Sequence, residues 1–175
     1  MKLKQSFGFT LIELIVTLVI AGILAAIAVP SIGSYLQNSR ATALANIWVS
    51  SLAYARSEAM TRGTPVSICP STDGSTCSTT VTDWAKGWII FVDANGDGAL
   101  GVASDRIKVQ DALGAGTVFT PANSTLTYVR YNDMGFVANG ATTFTIKASG
   151  CTSDNGRTVT LNASGDVTIT KAVCP

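Results

Sequence analysis

Residues 9–29 form one apolar run, and a single carboxylate, Glu13, sits near its start. About 20 residues are needed for a helix to cross the hydrocarbon of a bilayer, and this run has that length. A charged side chain at membrane depth costs roughly 2.5–3.5 kcal/mol on insertion scales, so an acid inside such a segment points to function. A short leader carrying Lys2 and Lys4 comes first and ends in Gly8. With lysines before the run and none close behind it, the positive-inside rule places the N-terminus in the cytoplasm.

A plain secretory signal peptide needs a basic n-region, a short apolar core and a small-x-small cleavage site after that core. Lys2 and Lys4 supply the first, and Ala26 and Ala28 offer the last. Glu13 argues against this reading, because it lies inside the apolar stretch. The Leu14–Val29 run is also long for such a core.

The leader, Gly8, Phe9 and Glu13 together resemble the class III signal of type IV prepilins. That resemblance implies cleavage between Gly8 and Phe9 by a prepilin peptidase, with N-methylation of Phe9. It also implies an assembly role for Glu13, pairing with the new N-terminal ammonium of a neighbouring subunit. The physics agrees, since two opposite charges that are each costly in lipid lower that cost when they meet, and only the correct axial register lets them meet.

Beyond the anchor, about 145 of the 175 residues remain, enough for one domain with its own core. Removing Lys2 and Lys4 with the leader leaves 10 basic against 11 acidic side chains, so no global basic field attracts nucleic acid. The chain has no histidine, which excludes His-based triads, His-ligated zinc and imidazole acid–base chemistry. Serines and lysines are present in no catalytic motif, and the chain reads as neither an enzyme nor a cofactor binder. Cys69, Cys77, Cys151 and Cys174 fall in the segment expected outside the cytoplasm, where an even count reads as disulfides. Three connectivities are open; short loops favour Cys69–Cys77 and Cys151–Cys174, the latter closing the C-terminus onto a sheet.

After Pro30 the sequence favours helix as far as Arg62, with Gly63 and Pro65 ending it. Leu44, Trp48, Leu52 and Ala55 recur at three- and four-residue steps, and Ile47 is expected to widen that face. From Thr64 the pattern changes to threonine, valine and aromatics separated by Gly, Asn and Asp, with no helical period. Strands are expected at 65–69, 87–93, 106–110, 126–131, 142–147, 157–161 and 166–170, and a loop at 71–82. The resulting organisation is a leader over 1–8, a membrane and filament-core helix over 9–30, an amphipathic helix over 31–63 and a β-rich domain over 64–175.

Two internal stretches carry a closer resemblance. Arg40-Ala-Thr-Ala-Leu-Ala-Asn46 with Ser50–Gly63, and Trp84–Gly98, are similar to the helix and following strand of the GspH/FimT/FimU group of minor pilins and pseudopilins, most of all its FimU-like branch. The resemblance implies an α+β, type IV pilin-like fold: a long N-terminal helix packed on an antiparallel β-sheet domain. It further implies a subunit that helps initiate pilus assembly and links tip components to the major pilin. Its partners would be other minor pilins, the major pilin, the prepilin peptidase, the inner-membrane assembly platform and, before assembly, inner-membrane lipid. The subunit would be single-pass in the inner membrane with its C-terminal domain periplasmic, then at the pilus surface. A type II secretion pseudopilin and a FimT-like DNA-binding pilin are the alternatives.

Two further motifs bear on those alternatives. Asp93, Asn95 and Asp97 with Gly98 match the first half of a calcium loop. Position twelve is Ser104, with Asp105 one step late, so a tight turn made of ordinary turn residues is the plainer reading. DNA-binding members carry a C-terminal Gly-Arg-x-Arg, where this chain has Gly165-Asp166-Val167-Thr168; Arg157, in Gly156-Arg157-Thr158-Val159, is the single arginine on offer. An aspartate facing phosphate repels it, so nucleic acid is not an expected partner. Trp84 and Trp88 read as core side chains before interface anchors.

Overall fold

The computed structural model describes residues 9–174. One helix, α1, runs from Leu11 to Arg62. Compact packing divides the chain into a unit ending at Leu36 and a unit beginning at Gln37. In the first unit the described side chains of α1 from Leu11 to Ile27 are exposed, and this part of the helix is long and apolar enough to cross a membrane. Ile32, Tyr35 and Leu36, at the end of the first unit, are exposed as well.

Among the described residues the globular unit carries eight strands: β1 (Val66–Pro70), β2 (Trp88–Val92), β3 (Arg106–Gln110), β4 (Val118–Pro121), β5 (Val129–Tyr131), β6 (Thr142–Lys147), β7 (Gly156–Leu161) and β8 (Val167–Ala172). They form two antiparallel four-stranded sheets, ordered β3-β2-β1-β5 and β4-β6-β7-β8. In the second sheet strict alternation fixes the register. Phe144 and Ile146 on β6, and Val159 and Leu161 on β7, turn one face inward, while Thr143, Thr145, Thr158 and Thr160 lie on the other face.

The core is built around Trp48 of α1. Its ring meets Trp84, Trp88, Phe119 and Phe144 edge-on, with centroids 5.3, 5.0, 5.1 and 4.8 Å away. This is the arrangement that aromatic quadrupoles favour. Ala41, Ala45, Ala55 and Ala59 complete the buried stripe with Leu52; their small side chains let the sheets approach the helix. Trp84 also donates its indole N–H to the Leu126 carbonyl at 3.3 Å. The continuous apolar run of β2 has its own cause: that strand is covered on both faces. Ile90 joins the Trp48 core, whereas Ile89 and Phe91 pack with Cys69, Cys77, Leu100 and Tyr128 on the opposite side.

Three local expectations are corrected. Ile47 is 37% exposed and lies outside the buried stripe, because Ala45 and Trp48 already occupy the inward positions of that turn. Residues Val81–Lys86, the first two inside the expected 71–82 loop and the rest assigned to no element, form a 3-10 helix, stabilised at its C-terminal end by the Lys86–Asp83 ion pair at 2.8 Å. Strand β4 gives only Phe119 to the core and ends in Pro121, an edge-strand pattern too short to show a period of two.

Candidate assembly site

Phe9 and Glu13 both lie at the N-terminal end of the first unit; Gly8, the other half of the expected cleavage site, lies outside the described residues. Thr10 caps α1. Its Oγ1 accepts from the Glu13 N–H at 3.3 Å, and its carbonyl accepts from the Leu14 N–H at 3.2 Å. Thr10-Leu-Ile-Glu13 therefore has capping-box spacing, and Glu13 sits in the first turn, where the helix dipole favours an anion. Its carboxylate has no basic partner among the described residues. Around it Phe9 (81% exposed), Leu11, Ile12 and Leu14 face outward. The result is one localised negative charge on an apolar cylinder, a surface that rewards an apolar environment and a single positive partner.

In the globular unit the cysteines pair as Cys69–Cys77 and Cys151–Cys174, with Cα separations of 5.5 and 5.7 Å. The first closes a loop organised by Asp73. That carboxylate accepts from the backbone N–H groups of Ser75 and Thr76, each at 2.8 Å, and from the hydroxyls of Thr76 and Ser71. These donors hold the Asp73 carboxyl well below the usual carboxylate range, the Ser75 and Thr76 amides contributing most. Asp83 is likewise held down, first by its bond to Lys86 and then by the Ser78 hydroxyl.

The Asp93–Gly98 segment is a turn whose carboxylate is already engaged. Asp93 is buried and accepts from Ser67 Oγ at 2.6 Å, the Gly96 N–H at 2.9 Å and the Gly98 N–H at 3.2 Å. Asn95 donates to Asp97 at 2.8 Å. Among the described residues no group of three or more His, Cys, Asp or Glu side chains converges to hold a metal. Gly96 is required by close approach: a Cβ there would lie 1.9 Å from the Arg130 guanidinium, which donates to the Gly96 carbonyl.

Arg157 shares the inward face of β7 with Val159 and Leu161 and is only 8% exposed. Its guanidinium donates to Thr42 Oγ1 at 2.9 Å, to Asn38 and to the Gly156 carbonyl, so it grips α1 and offers little to a phosphate. Asp166 is exposed and pairs with Arg56 at 3.4 Å. Arg56 also donates to the Ser164 and Gly165 carbonyls, docking the β7–β8 turn on the helix. No sequence signal marks that role, because the carbonyls it binds are more than a hundred positions away. Trp84 and Trp88 are fully buried.

A helix of this kind on antiparallel sheets, with an apolar N-terminal half, defines a type IV pilin-like subunit. The chain belongs to the GspH family: the profile described as "Type II transport protein GspH" matches residues 44–165. The "Prokaryotic N-terminal methylation motif" matches residues 3–29. Crystal structures of the type IV minor pilin FimU of Pseudomonas aeruginosa strain PAO1 share the fold. One form matches with TM-score 0.60 and 21% identity, over 78% of this chain and 92% of that one. A second form matches with TM-score 0.53 and 23% identity, over 75% and 90% of the two chains. No curated protein matches the sequence.

Proposed function

We propose that the chain is a FimU-like minor pilin, cleaved between Gly8 and Phe9, N-methylated on Phe9, and non-enzymatic. It helps initiate pilus assembly and links tip components to the major pilin. The observation that carries this reading is Glu13: a carboxylate without a basic partner, in the first turn of an exposed apolar helix, four residues after the expected new N-terminus. In a filament core the ammonium of a neighbour's Phe9 supplies the missing charge. The helix anchors the subunit in the inner membrane before assembly, with the N-terminus cytoplasmic and the disulfide-bonded unit in the oxidising periplasm. The assembly platform, other minor pilins and the major pilin are then its partners.

One observation favours a second reading. The matching family takes its description from a type II transport protein, so a pseudopilin of a secretion system is the alternative. The DNA-receptor reading loses support, because Asp166 and Thr168 stand at the two arginine positions of the motif and Arg157, the separate candidate, is engaged inside the fold.

A deletion of the gene, followed by counting sheared surface pili, separates the two. Loss of pili restored by the wild-type copy supports the minor-pilin role. Normal pili with impaired protein secretion supports the pseudopilin.

A further inference from the structure

The charges of the globular unit are sorted by end. Setting aside Lys2, Lys4 and Glu13, which precede it, the unit carries ten basic and ten acidic side chains and is neutral as a whole. One end is where α1 enters. There Gln37 accepts from the Thr152 hydroxyl at 3.0 Å, Arg157 grips Asn38 and Thr42, and Arg40 and Leu44 line a shallow pocket with Leu113 and Ala148. The segments gathered at this end, 37–44, 111–118, 147–157 and 171–174, hold Arg40, Lys147, Arg157 and Lys171 against Asp111 and Asp154, a side-chain balance of +2. The other end forms around residues 56–62 of α1. Arg56 binds the 164–166 turn, Gly135 lies against Met60, and Arg130 reaches Gly96. Segments 56–62, 93–98, 130–136 and 162–166 hold five acids against three arginines, a balance of −2. Arg40 and Arg56 are sixteen residues apart, about 24 Å along a helix at 1.5 Å per residue.

The basic end also carries exposed apolar side chains. Val173 is 75% exposed, and its place is fixed: the next residue, Cys174, is bridged to Cys151 and donates its N–H to the Ser153 carbonyl at 2.6 Å. Val118, opposite Lys147 in the β4–β6 register, is exposed too. Two of the four cations are already engaged, Lys171 with Asp154 at 2.9 Å and Arg157 inside the fold. Arg40 and Lys147 form no ion pair among the described residues, and Asp111 is the one acid at this end that is likewise unpaired.

Chain length limits how far this end can lie from a bilayer. Gln37 is eight residues beyond Val29, the last residue of the apolar run, a span of at most about 29 Å even if fully extended. A tether this short holds the basic end at high local concentration over the headgroups. Lysine and arginine are drawn to a leaflet that carries anionic lipid, and apolar neighbours add burial in its interfacial layer. We infer that the end of the globular unit where α1 enters is a membrane-surface site, at which Arg40 and Lys147 bind anionic phospholipid headgroups and Val173 and Val118 meet the interfacial layer. The acidic end is repelled by the same surface, so the unassembled subunit has a preferred orientation on the leaflet. This rests on the membrane-anchored reading above and adds the lipid class that the globular unit recognises.

The test uses the full, disulfide-bonded chain in nanodiscs of equal parts phosphatidylglycerol and phosphatidylcholine. A photoreactive benzoyl-phenylalanine stands at position 173, or at position 134 of the acidic end as a reference, and lipid adducts on the chain are counted by mass spectrometry. At low salt, position 173 should take phosphatidylglycerol over phosphatidylcholine by about threefold or more, and position 134 should take little of either. The preference should fall to about one in roughly 0.5 M salt, where surface charges are screened. Arg40→Glu combined with Lys147→Glu should abolish it at low salt as well. Arg40→Lys combined with Lys147→Arg should keep it, because charge carries the contact. Equal adducts of the two lipids at position 173, no lipid adduct there, or a preference unmoved by charge reversal would overturn the proposal and leave the membrane anchor standing. A chain that fails to enter the nanodiscs would overturn both.

Discussion

Trp48 is the side chain on which the globular unit converges, and its edge-on contacts come from both sheets and from the 3-10 helix at 81–86. Trp48→Ala removes a fully buried ring between the sheets and α1, and should cost about 3–5 kcal/mol. Denaturant unfolding of the detergent-solubilised full chain measures it; a loss below about 1 kcal/mol would mean that the core is centred elsewhere. Trp48 was legible in the sequence, because apolar residues three and four positions apart identify an inward helix face. Arg157 was not. Its alternation with Val159 and Leu161 places a cation on the core side of β7, and only the folded chain shows Asn38 and Thr42 waiting there. Glu13 was legible for the opposite reason, being a charge where the surrounding pattern has none.

At the level of elements, the 70–78 loop is the clearest case of local chemistry deciding structure. The Cys69–Cys77 bridge closes it and four donors from Ser71, Ser75 and Thr76 hold Asp73. Because Asp73 binds its proton less readily in the folded chain than unfolded, its contribution to stability is full above the ordinary carboxylate range, about pH 4. The contribution is lost as pH falls further. Thermal unfolding of the full chain in detergent between pH 6 and pH 2 should therefore show a midpoint that drops in acid. Asp73→Ala should make that drop shallower, without removing it, since Asp83 and Asp154 are also held low by Lys86 and Lys171. An unchanged acid slope in the variant would contradict this account. Most strands were readable from alternation, with β6 the plainest example. Strand β4 was not, since a four-residue edge strand with one inward side chain carries no period. The 3-10 helix escaped notice for a related reason: six residues are too few for a helical repeat to show.

At the scale of the whole molecule, the chain divides its chemistry between two units. One is an apolar helix with a single carboxylate; the other is a disulfide-bonded pair of sheets around an aromatic core. The sequence carried the family and the α+β architecture because both depend on long signals: the N-terminal run and the change from helical to strand composition after Arg62. The central claim is that Glu13 acts in assembly and not in anchoring. The most direct measurement is the amount of Glu13→Val chain recovered in sheared filaments from a strain lacking the wild-type copy, alongside its processing and membrane insertion. The account predicts normal processing and insertion with incorporation reduced at least about tenfold, as loss of a charge pair in lipid would produce. Incorporation at the wild-type level would contradict it.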